Sequence, residues 1–210
     1  AKKAKNPYAA LSPEEERATF RLPPGYVAEL VAAEPQVREP VLTVFDGNGV
    51  MYVAEMLSYM QNVAGEGAKT MRNGRVKRLE DVDGDGRMDK VTTFVDGLNL
   101  PRMILPLDDR ILVRETDTMD VVAYRDLDGD GVADESKLVY KRGPYSRNGP
   151  NTSVEHQDSG LIWNLDNHLY VSYNMERYRF TDGNWKVEKQ RGHWTQWGLT
   201  HDDSGGLHWS

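Results

Sequence analysis

Two aspartate-rich segments have the residue types and spacing of calcium-binding loops. Both match the pattern D-x-D-G-D-G-x-x-D, and they begin at positions 81 and 126. Calcium takes roughly six to eight hard oxygen ligands, and aspartates at alternate positions can direct several carboxylates to one point while a glycine permits the sharp turn. The predicted calcium ligands are Asp81, Asp83, Asp85 and Asp89 in the first loop, and Asp126, Asp128, Asp130 and Asp134 in the second.

Both loops differ from complete EF-hands at the position of the bidentate glutamate. Thr92 and Lys137 occupy that position, and strand patterns rather than helix patterns flank the loops. A tight, soluble Asp-Gly turn without a metal is the alternative. Because carboxylates at this spacing repel each other without a cation, and because the motif occurs at two equivalent places, we interpret the loops as structural calcium sites between the outer strands of a sheet.

His156 is the histidine whose position best suits acid–base chemistry. It lies directly before a predicted strand, and a histidine side chain titrates near neutral pH. Glu155 or Asp158 could orient it as a general base, although an exposed or loop-bracing histidine is the alternative. His168 lies in a predicted hairpin turn and is expected to be exposed.

The elements that must position these residues are short strands separated by turns, which make up the chain after Gly25 and are typical of an all-β fold. One template, an apolar strand followed by an aspartate-containing turn and a second apolar strand, occurs at 41–53, 103–113, 161–171 and 199–209. The first three copies are followed by further strands. Each unit is therefore a sheet of about four strands, the size of a β-propeller blade.

We predict an all-β chain that forms a β-propeller, with about three and a half four-stranded blades in residues 25–210. A β-sandwich is the alternative, but repetition of one hairpin template favours the propeller. Residues 1–24 are predicted to be a tail with a short helix, because Ser12 can cap the helix and Pro13 suits its first position. Since closure protects the edges of a propeller, we expect these blades to be part of a larger ring and the natural protein to continue beyond Ser210.

Loops at one face of such a propeller surround its central channel, the usual ligand site of the fold. The positions predicted to lie at this face are Glu55, Arg114, His156, Tyr173 and Asn174.

Composition excludes several classes of function. The net charge of -7 argues against nucleic-acid and anionic-membrane partners, which select for basic patches. The chain has no cysteine, which excludes disulfides, thiolate metal sites, cysteine nucleophiles and covalent haem attachment in this stretch. No apolar run is long enough to span a bilayer.

An ordered set of motifs resembles the N-terminal propeller of the large membrane-bound dehydrogenase-like proteins of planctomycetes and verrucomicrobia, a family with a haem-binding domain. The motifs are Pro-Pro-Gly-Tyr at 23–26, Tyr-Val-Ala-Glu-Met at 52–56, Leu-Glu-Asp-Val-Asp-Gly-Asp-Gly at 79–86, Phe-Val-Asp-Gly-Leu at 94–98 and Gly-Leu-Ile-Trp-Asn-Leu-Asp at 160–166. The resemblance covers roughly residues 20 to 205. Members of that family continue into helical repeats and a cytochrome c segment, which this sequence lacks.

More distantly, the chain is similar to soluble sugar dehydrogenases that use pyrroloquinoline quinone. In those enzymes a histidine before a Gly-x-Leu-x-x-x-x-Asp strand takes the proton of the substrate hydroxyl while hydride passes to the quinone. His156 matches that position, whereas Glu155 and Tyr173 depart from the expected neighbours. The resemblance implies His156 as the catalytic base and Arg114 as a cofactor contact, with most other cofactor contacts beyond residue 210.

The resemblance therefore implies a periplasmic or secreted, quinone-dependent dehydrogenase that oxidises a carbohydrate or polyol and passes electrons to a cytochrome c. A non-catalytic, calcium-stabilised propeller that binds a glycan or a protein partner stays open as an alternative. A lactonase-type hydrolase would need calcium in the channel, and the aspartates lie in the wrong strands for that. A channel lined by several arginines or lysines would favour a quinone, whereas aromatic and amide side chains would favour a glycan.

Overall fold

The computed structural model describes residues 9–68, 70–144, 153–173, 176–189 and 197–209. Helix α1 (Pro13–Arg17) is the one α-helix of the described residues. The Ser12 side chain accepts a hydrogen bond from the Glu15 amide at 3.2 Å, and the Glu15 carboxylate accepts one from the Ser12 amide at 2.9 Å. This reciprocal capping box accounts for the short helix that the sequence predicts. No helix in the described part is long and apolar enough to cross a membrane.

The strands form three antiparallel sheets of four strands, each in chain order, followed by a hairpin. Blade 1 consists of β1 (Pro40–Phe45), β2 (Met51–Glu55), β3 (Gly74–Glu80) and β4 (Lys90–Leu98). Blade 2 consists of β5 (Pro101–Leu107), β6 (Arg110–Glu115), β7 (Val121–Arg125) and β8 (Glu135–Tyr140). Blade 3 consists of β9 (Leu161–Trp163), β10 (Leu169–Val171), β11 (Glu176–Thr181) and β12 (Asn184–Lys189). The hairpin that follows consists of β13 (Leu199–His201) and β14 (Leu207–Trp209).

This arrangement is that of a β-propeller, and it confirms the predicted three and a half blades. The first strands of consecutive units lie beside one another, β1 against β5, β5 against β9 and β9 against β13. The first strands are therefore the inner strands around the propeller axis, and the fourth strands form the outer edge.

Apolar layers between the blades form the core. Tyr52 and Phe94 of blade 1 pack edge-to-face, with ring centroids 5.5 Å apart, in the same cluster as Ile104 of blade 2. Met103, the neighbour of Ile104 in β5, belongs to the next layer, between blades 2 and 3, where it packs with Leu161. Because successive side chains of a strand point to opposite faces, β5 contributes to both layers.

The N-terminal segment, residues 28–37, covers the other face of blade 1. Val31 and Val37 pack against a cluster that contains Met51, Leu79 and Met88. The segment thus packs against blade 1 in the way that blade 1 packs against blade 2.

Candidate functional site

Both aspartate loops connect the third strand of a blade to the fourth. The first loop, residues 81–89, joins β3 to β4, and the second loop, residues 126–134, joins β7 to β8. The equivalent connection in blade 3 is the short turn at Asp182 and Gly183 between β11 and β12. The loops lie between outer strands, as the sequence predicts, and away from the inner strands.

The first loop is organised by hydrogen bonds from its own backbone to carboxylates. Asp81 accepts bonds from the amides of Gly84 at 2.7 Å and Gly86 at 2.8 Å, and Asp89 accepts one from the Val82 amide at 3.0 Å. Gly84 and Gly86 have φ angles of 77° and 89°, in the left-handed region that favours glycine. The backbone conformation of the loop therefore explains why the motif has glycine at both positions.

The second loop has the same hydrogen-bond pattern. Asp126 accepts bonds from the amides of Gly129 at 2.7 Å and Gly131 at 2.8 Å, and Asp134 accepts one from the Leu127 amide at 2.7 Å. Burial raises the pKa of Asp126, but the bonds from Gly131 and Gly129 outweigh it and lower that pKa below its ordinary value. The loop geometry thus favours the ionised carboxylate, the form that binds a cation.

The structure brings three of the four predicted ligands together in each loop. Carboxylate oxygens lie within 4.8 Å of one another for Asp81, Asp83 and Asp89, and for Asp126, Asp128 and Asp130. Asp85 and Asp134 lie outside these groups. A set of carboxylate oxygens is the donor chemistry that suits calcium.

Through its eighth residue, each loop also forms a backbone hydrogen bond to the part of the chain that packs before its own blade. The Met88 amide donates to the Val31 carbonyl at 2.9 Å, and the Ala133 amide donates to the Phe94 carbonyl at 2.8 Å. The loops are therefore placed at the junctions between neighbouring layers.

A cleft of about 610 Å³ opens at the starts of the inner strands. Its lining comes from all four units, with Val41 and Leu42 of β1, Arg102 of β5, Ser159 and Gly160 before β9, and Trp197, Gly198 and Leu199 at β13, together with Met56, Tyr59, Val154 and Glu155. This cleft, which we call the axial cleft, lies at the face that the sequence predicts for a ligand. Most of its walls are apolar.

Tyr59, Glu155 and Arg102 contribute polar groups to the axial cleft. The Tyr59 hydroxyl donates to Glu155 Oε1 at 2.5 Å, and this bond raises the pKa of Tyr59 because the carboxylate favours the protonated phenol. The Arg102 guanidinium donates to the Val154 carbonyl and, at 3.2 Å, to Thr116 Oγ1. Sequence reasoning missed the Tyr59–Glu155 pair, because 96 positions separate its members and no local motif marks Tyr59.

His156 lies at the rim of the axial cleft rather than in its wall. Its side chain is exposed, and its ring centroid is 6.3 Å from that of Tyr173. Glu55 is completely buried at the end of β2, where its carboxylate accepts bonds from the Arg38 amide at 2.6 Å and Arg75 Nε at 2.7 Å. Asn174 lies outside the described residues. The catalytic role of His156 stays a prediction.

Arg114 is buried beneath the same face, with 1% of its surface exposed. Its Nη1 lies 3.3 Å from Asp158 Oδ2, and its Nη2 donates to the Tyr178 hydroxyl at 3.3 Å. Burial raises the pKa of Tyr178 to about 12, so the phenol stays protonated and donates to Glu176 at 3.0 Å. The predicted contact between Arg114 and a cofactor stays a prediction, and in this structure the charge of Arg114 faces Asp158.

The predicted exposure of His168 is wrong. Only 5% of His168 is exposed, because its ring packs edge-on against Tyr170 and its Nδ1 lies 3.0 Å from the Asp166 carbonyl. Tyr170, two positions later and therefore on the same side of an extended chain, is the signal that predicts such packing.

Residues 12–210 match the model of a family described as domain of unknown function (DUF7133). A search of curated proteins finds no match. The family match covers almost the whole chain.

Among solved structures, the chain is similar to a gluconolactonase from Xanthomonas campestris, with 14% identity, a TM-score of 0.50 and coverage of 78% of this chain and 50% of that one. It is also similar to a Trichoderma reesei protein of Carbohydrate-Active Enzymes family AA12 (21% identity, TM-score 0.44, coverage 70% and 32%). A third similar structure is an auxiliary nutrient binding protein from Bacteroides ovatus (12% identity, TM-score 0.46, coverage 79% and 35%). The chain spans half or less of the length of each. At 14% identity, the similarity to the gluconolactonase shows a shared fold and not a shared activity.

Proposed function

The chain belongs to the DUF7133 family, and we propose that it is a calcium-stabilised propeller domain that binds a carbohydrate or polyol in its axial cleft. The observation that carries this proposal is the Tyr59–Glu155 hydrogen bond inside an otherwise largely apolar cleft. Ligand sites of this kind combine apolar walls with a few convergent polar groups. A sugar ring matches both parts, because it has apolar C–H faces and an edge of hydroxyl groups.

Glu155 supplies the polar part of the proposed site. One carboxylate oxygen accepts the Tyr59 hydroxyl, and an ionised carboxylate has further lone pairs that can accept bonds from ligand hydroxyls. Trp197, with 48% of its surface exposed, lines the same cleft and offers a face on which a sugar ring can stack. The charges of Arg102 and Glu155 balance each other, which suits a neutral ligand.

A quinone-dependent dehydrogenase that passes electrons to a cytochrome c, in the periplasm or outside the cell, is the second candidate. Its support is the place of His156, at the rim of the cleft and beside Tyr173. Pyrroloquinoline quinone carries several carboxylates, so a cleft that holds it needs several cationic side chains. Among the described lining residues Arg102 is the one cation, and its guanidinium already donates within the protein. These residues do not fit the cofactor.

The two aspartate loops fit calcium better, by donor chemistry. Asp81, Asp83 and Asp89 would hold one ion, and Asp126, Asp128 and Asp130 the other. Because the loops lie far out on the blades, the ions would stabilise the fold rather than take part in chemistry.

The sugar site is tested by calorimetric titration with cellobiose of the wild type and the Glu155→Gln variant. We expect the variant to bind roughly tenfold more weakly, because a hydrogen bond to a charged group contributes about 1.5–3 kcal/mol. Glu188→Gln, on the exposed β12, is the control and should bind like the wild type. Equal affinity in all three proteins would contradict the proposed site.

The second candidate is tested by titrating the metal-stripped protein with pyrroloquinoline quinone, with and without calcium, and following the cofactor's absorbance. Saturable, calcium-dependent binding that weakens in His156→Ala would favour the dehydrogenase. Sugar binding without quinone binding would favour the binding domain.

A further inference from the structure

Residues 153–160 form a segment that we call the tethered segment, and two of its buried side chains bond to blade 2. Gln157 is 1% exposed. Its Oε1 accepts a bond from the Asp117 amide at 2.7 Å, and its Nε2 donates to Asp117 Oδ1 at 2.7 Å. The neighbouring Glu155 lines the axial cleft, and the side chain of His156 is exposed.

The second tether is an ion pair between the tethered segment and β6. Asp158 and Arg114 are each 1% exposed, and their charged groups are 3.3 Å apart. The Arg114 guanidinium also lies over the Tyr178 ring of blade 3, 5.5 Å from its centroid. The pair therefore joins blade 2, the segment and blade 3 at one buried point.

A buried ion pair is an expensive way to join two blades. Removing both charges from water costs several kcal/mol, and apolar side chains of similar size often stabilise a fold as well or better. The geometry here is not optimal, because the buried Nε of Arg114 has no hydrogen-bond acceptor among the described residues. What the pair does supply is direction, since an arginine and a carboxylate fix both distance and orientation where apolar contacts do not.

We propose that Arg114 is a positioning residue, which acts through Asp158 to fix the tethered segment so that Glu155 faces the axial cleft and His156 lies at its rim. Arg114 itself touches no ligand in this role. The role differs from the cofactor contact that the sequence predicts, because at 1% exposure the guanidinium cannot reach a ligand in the cleft without leaving Asp158. The segment's orientation is the proposal itself, whereas its effect on ligand binding rests on the proposed function.

The test compares two charge-free double variants by amide hydrogen exchange with mass spectrometry. In Arg114→Met/Asp158→Leu the pair is replaced by apolar side chains, a change that leaves many folds stable. The control, Arg177→Met/Glu188→Leu, removes an ion pair between β11 and β12 that has no bond to the tethered segment or to Arg114. We expect exchange in 153–160 to accelerate by about tenfold or more in the first variant and to stay unchanged in the control.

Unchanged exchange in 153–160 of a folded Arg114→Met/Asp158→Leu variant would overturn the proposal. If circular dichroism shows that this variant is unfolded, Arg114→Lys decides in its place. Lysine keeps the charge, but one ammonium lacks the planar fork that meets Asp158 and Tyr178 together, so exchange should again accelerate.

A second measurement is cellobiose binding by the same variants. If the wild type binds, loss of affinity in Arg114→Lys but not in the control supports the positioning role, and full affinity opposes it. If the wild type does not bind, the proposed sugar site fails, and the exchange experiment still decides whether Arg114 positions the segment.

Discussion

Individual side chains in this chain stabilise local structure through hydrogen bonds and ion pairs. Asp166, in the turn between β9 and β10, accepts a bond from the Tyr170 hydroxyl at 2.6 Å and lies 3.4 Å from Arg177. Burial raises the pKa of Asp166, but these partners outweigh it and hold the pKa below its ordinary value of 3.8. The ionised form is therefore the one that stabilises the folded state.

The sign of the pH effect follows from this lowered pKa. A carboxyl whose pKa is lower in the folded state contributes stability above its unfolded value and loses it as the pH falls through the folded value. We expect Asp166→Asn to unfold at a lower temperature than the wild type near neutral pH, with a difference that shrinks as the pH falls below about 4. Thermal unfolding followed by circular dichroism across this range measures the effect, and a difference independent of pH would exclude it.

Gly74 marks a close approach between blades 1 and 2. A Cβ there would lie 2.5 Å from Pro101 Cδ and 3.0 Å from the Leu98 carbonyl oxygen. Gly74→Ala should therefore lower the free energy of unfolding by about 1–3 kcal/mol. Gly47→Ala is the matched control, because nothing lies within 4 Å of its Cβ position. Chemical denaturation measures both, and equal stability of the two variants would show that the approach is looser than described.

At this scale the sequence predicts residues whose partners are local. The carboxylates and glycines of the aspartate loops are readable because their bonds span a few positions. The burial of Arg114 against Asp158 is not readable, because 44 positions separate them and a lone arginine at a strand end is usually exposed.

Elements follow more directly from the sequence, because a hairpin is a local structure. Each of the four predicted apolar–turn–apolar templates coincides with a pair of adjacent strands, from β1 and β2 to β13 and β14. Alternating apolar residues and a tight turn determine the strand pairing without help from distant residues. The conformations of the long connections that line the axial cleft follow no such local rule.

The aspartate loops are the elements for which binding can be measured separately. We expect calcium to raise the unfolding temperature of the metal-stripped protein, since a ligand at 100 times its Kd adds about 2.7 kcal/mol. Calorimetry should find two sites in the wild type and one in Asp128→Asn. Asp182→Asn, in the short turn of blade 3, is the control and should keep two sites. A wild type that binds no calcium would leave the loops as hydrogen-bonded turns.

On the scale of the whole molecule, stability resides in the layers between blades. Ile104 is completely buried between blades 1 and 2, in contact with side chains of both. Ile104→Ala should destabilise the fold by about 2–5 kcal/mol, because it leaves a cavity in a layer that both blades share. Leu165→Ala, at a position 67% exposed, should change the stability by less than about 0.5 kcal/mol. Guanidinium denaturation compares them, and similar midpoints would indicate that the layer is not tightly packed.

Each aspartate loop is coupled thermodynamically to the part of the chain that its eighth residue bonds, Met88 to the N-terminal segment and Ala133 to β4. An ion bound in the second loop would stabilise the hydrogen bond from the Ala133 amide to β4, and by reciprocity an ordered β4 would raise the affinity of that loop for the ion. The first loop bonds instead to the N-terminal segment, which forms no strand at Val31. Because the two loops bond to different supports, we expect them to bind calcium with different affinities. We therefore expect the second site to fill before the first, which would give a binding isotherm with two steps rather than one.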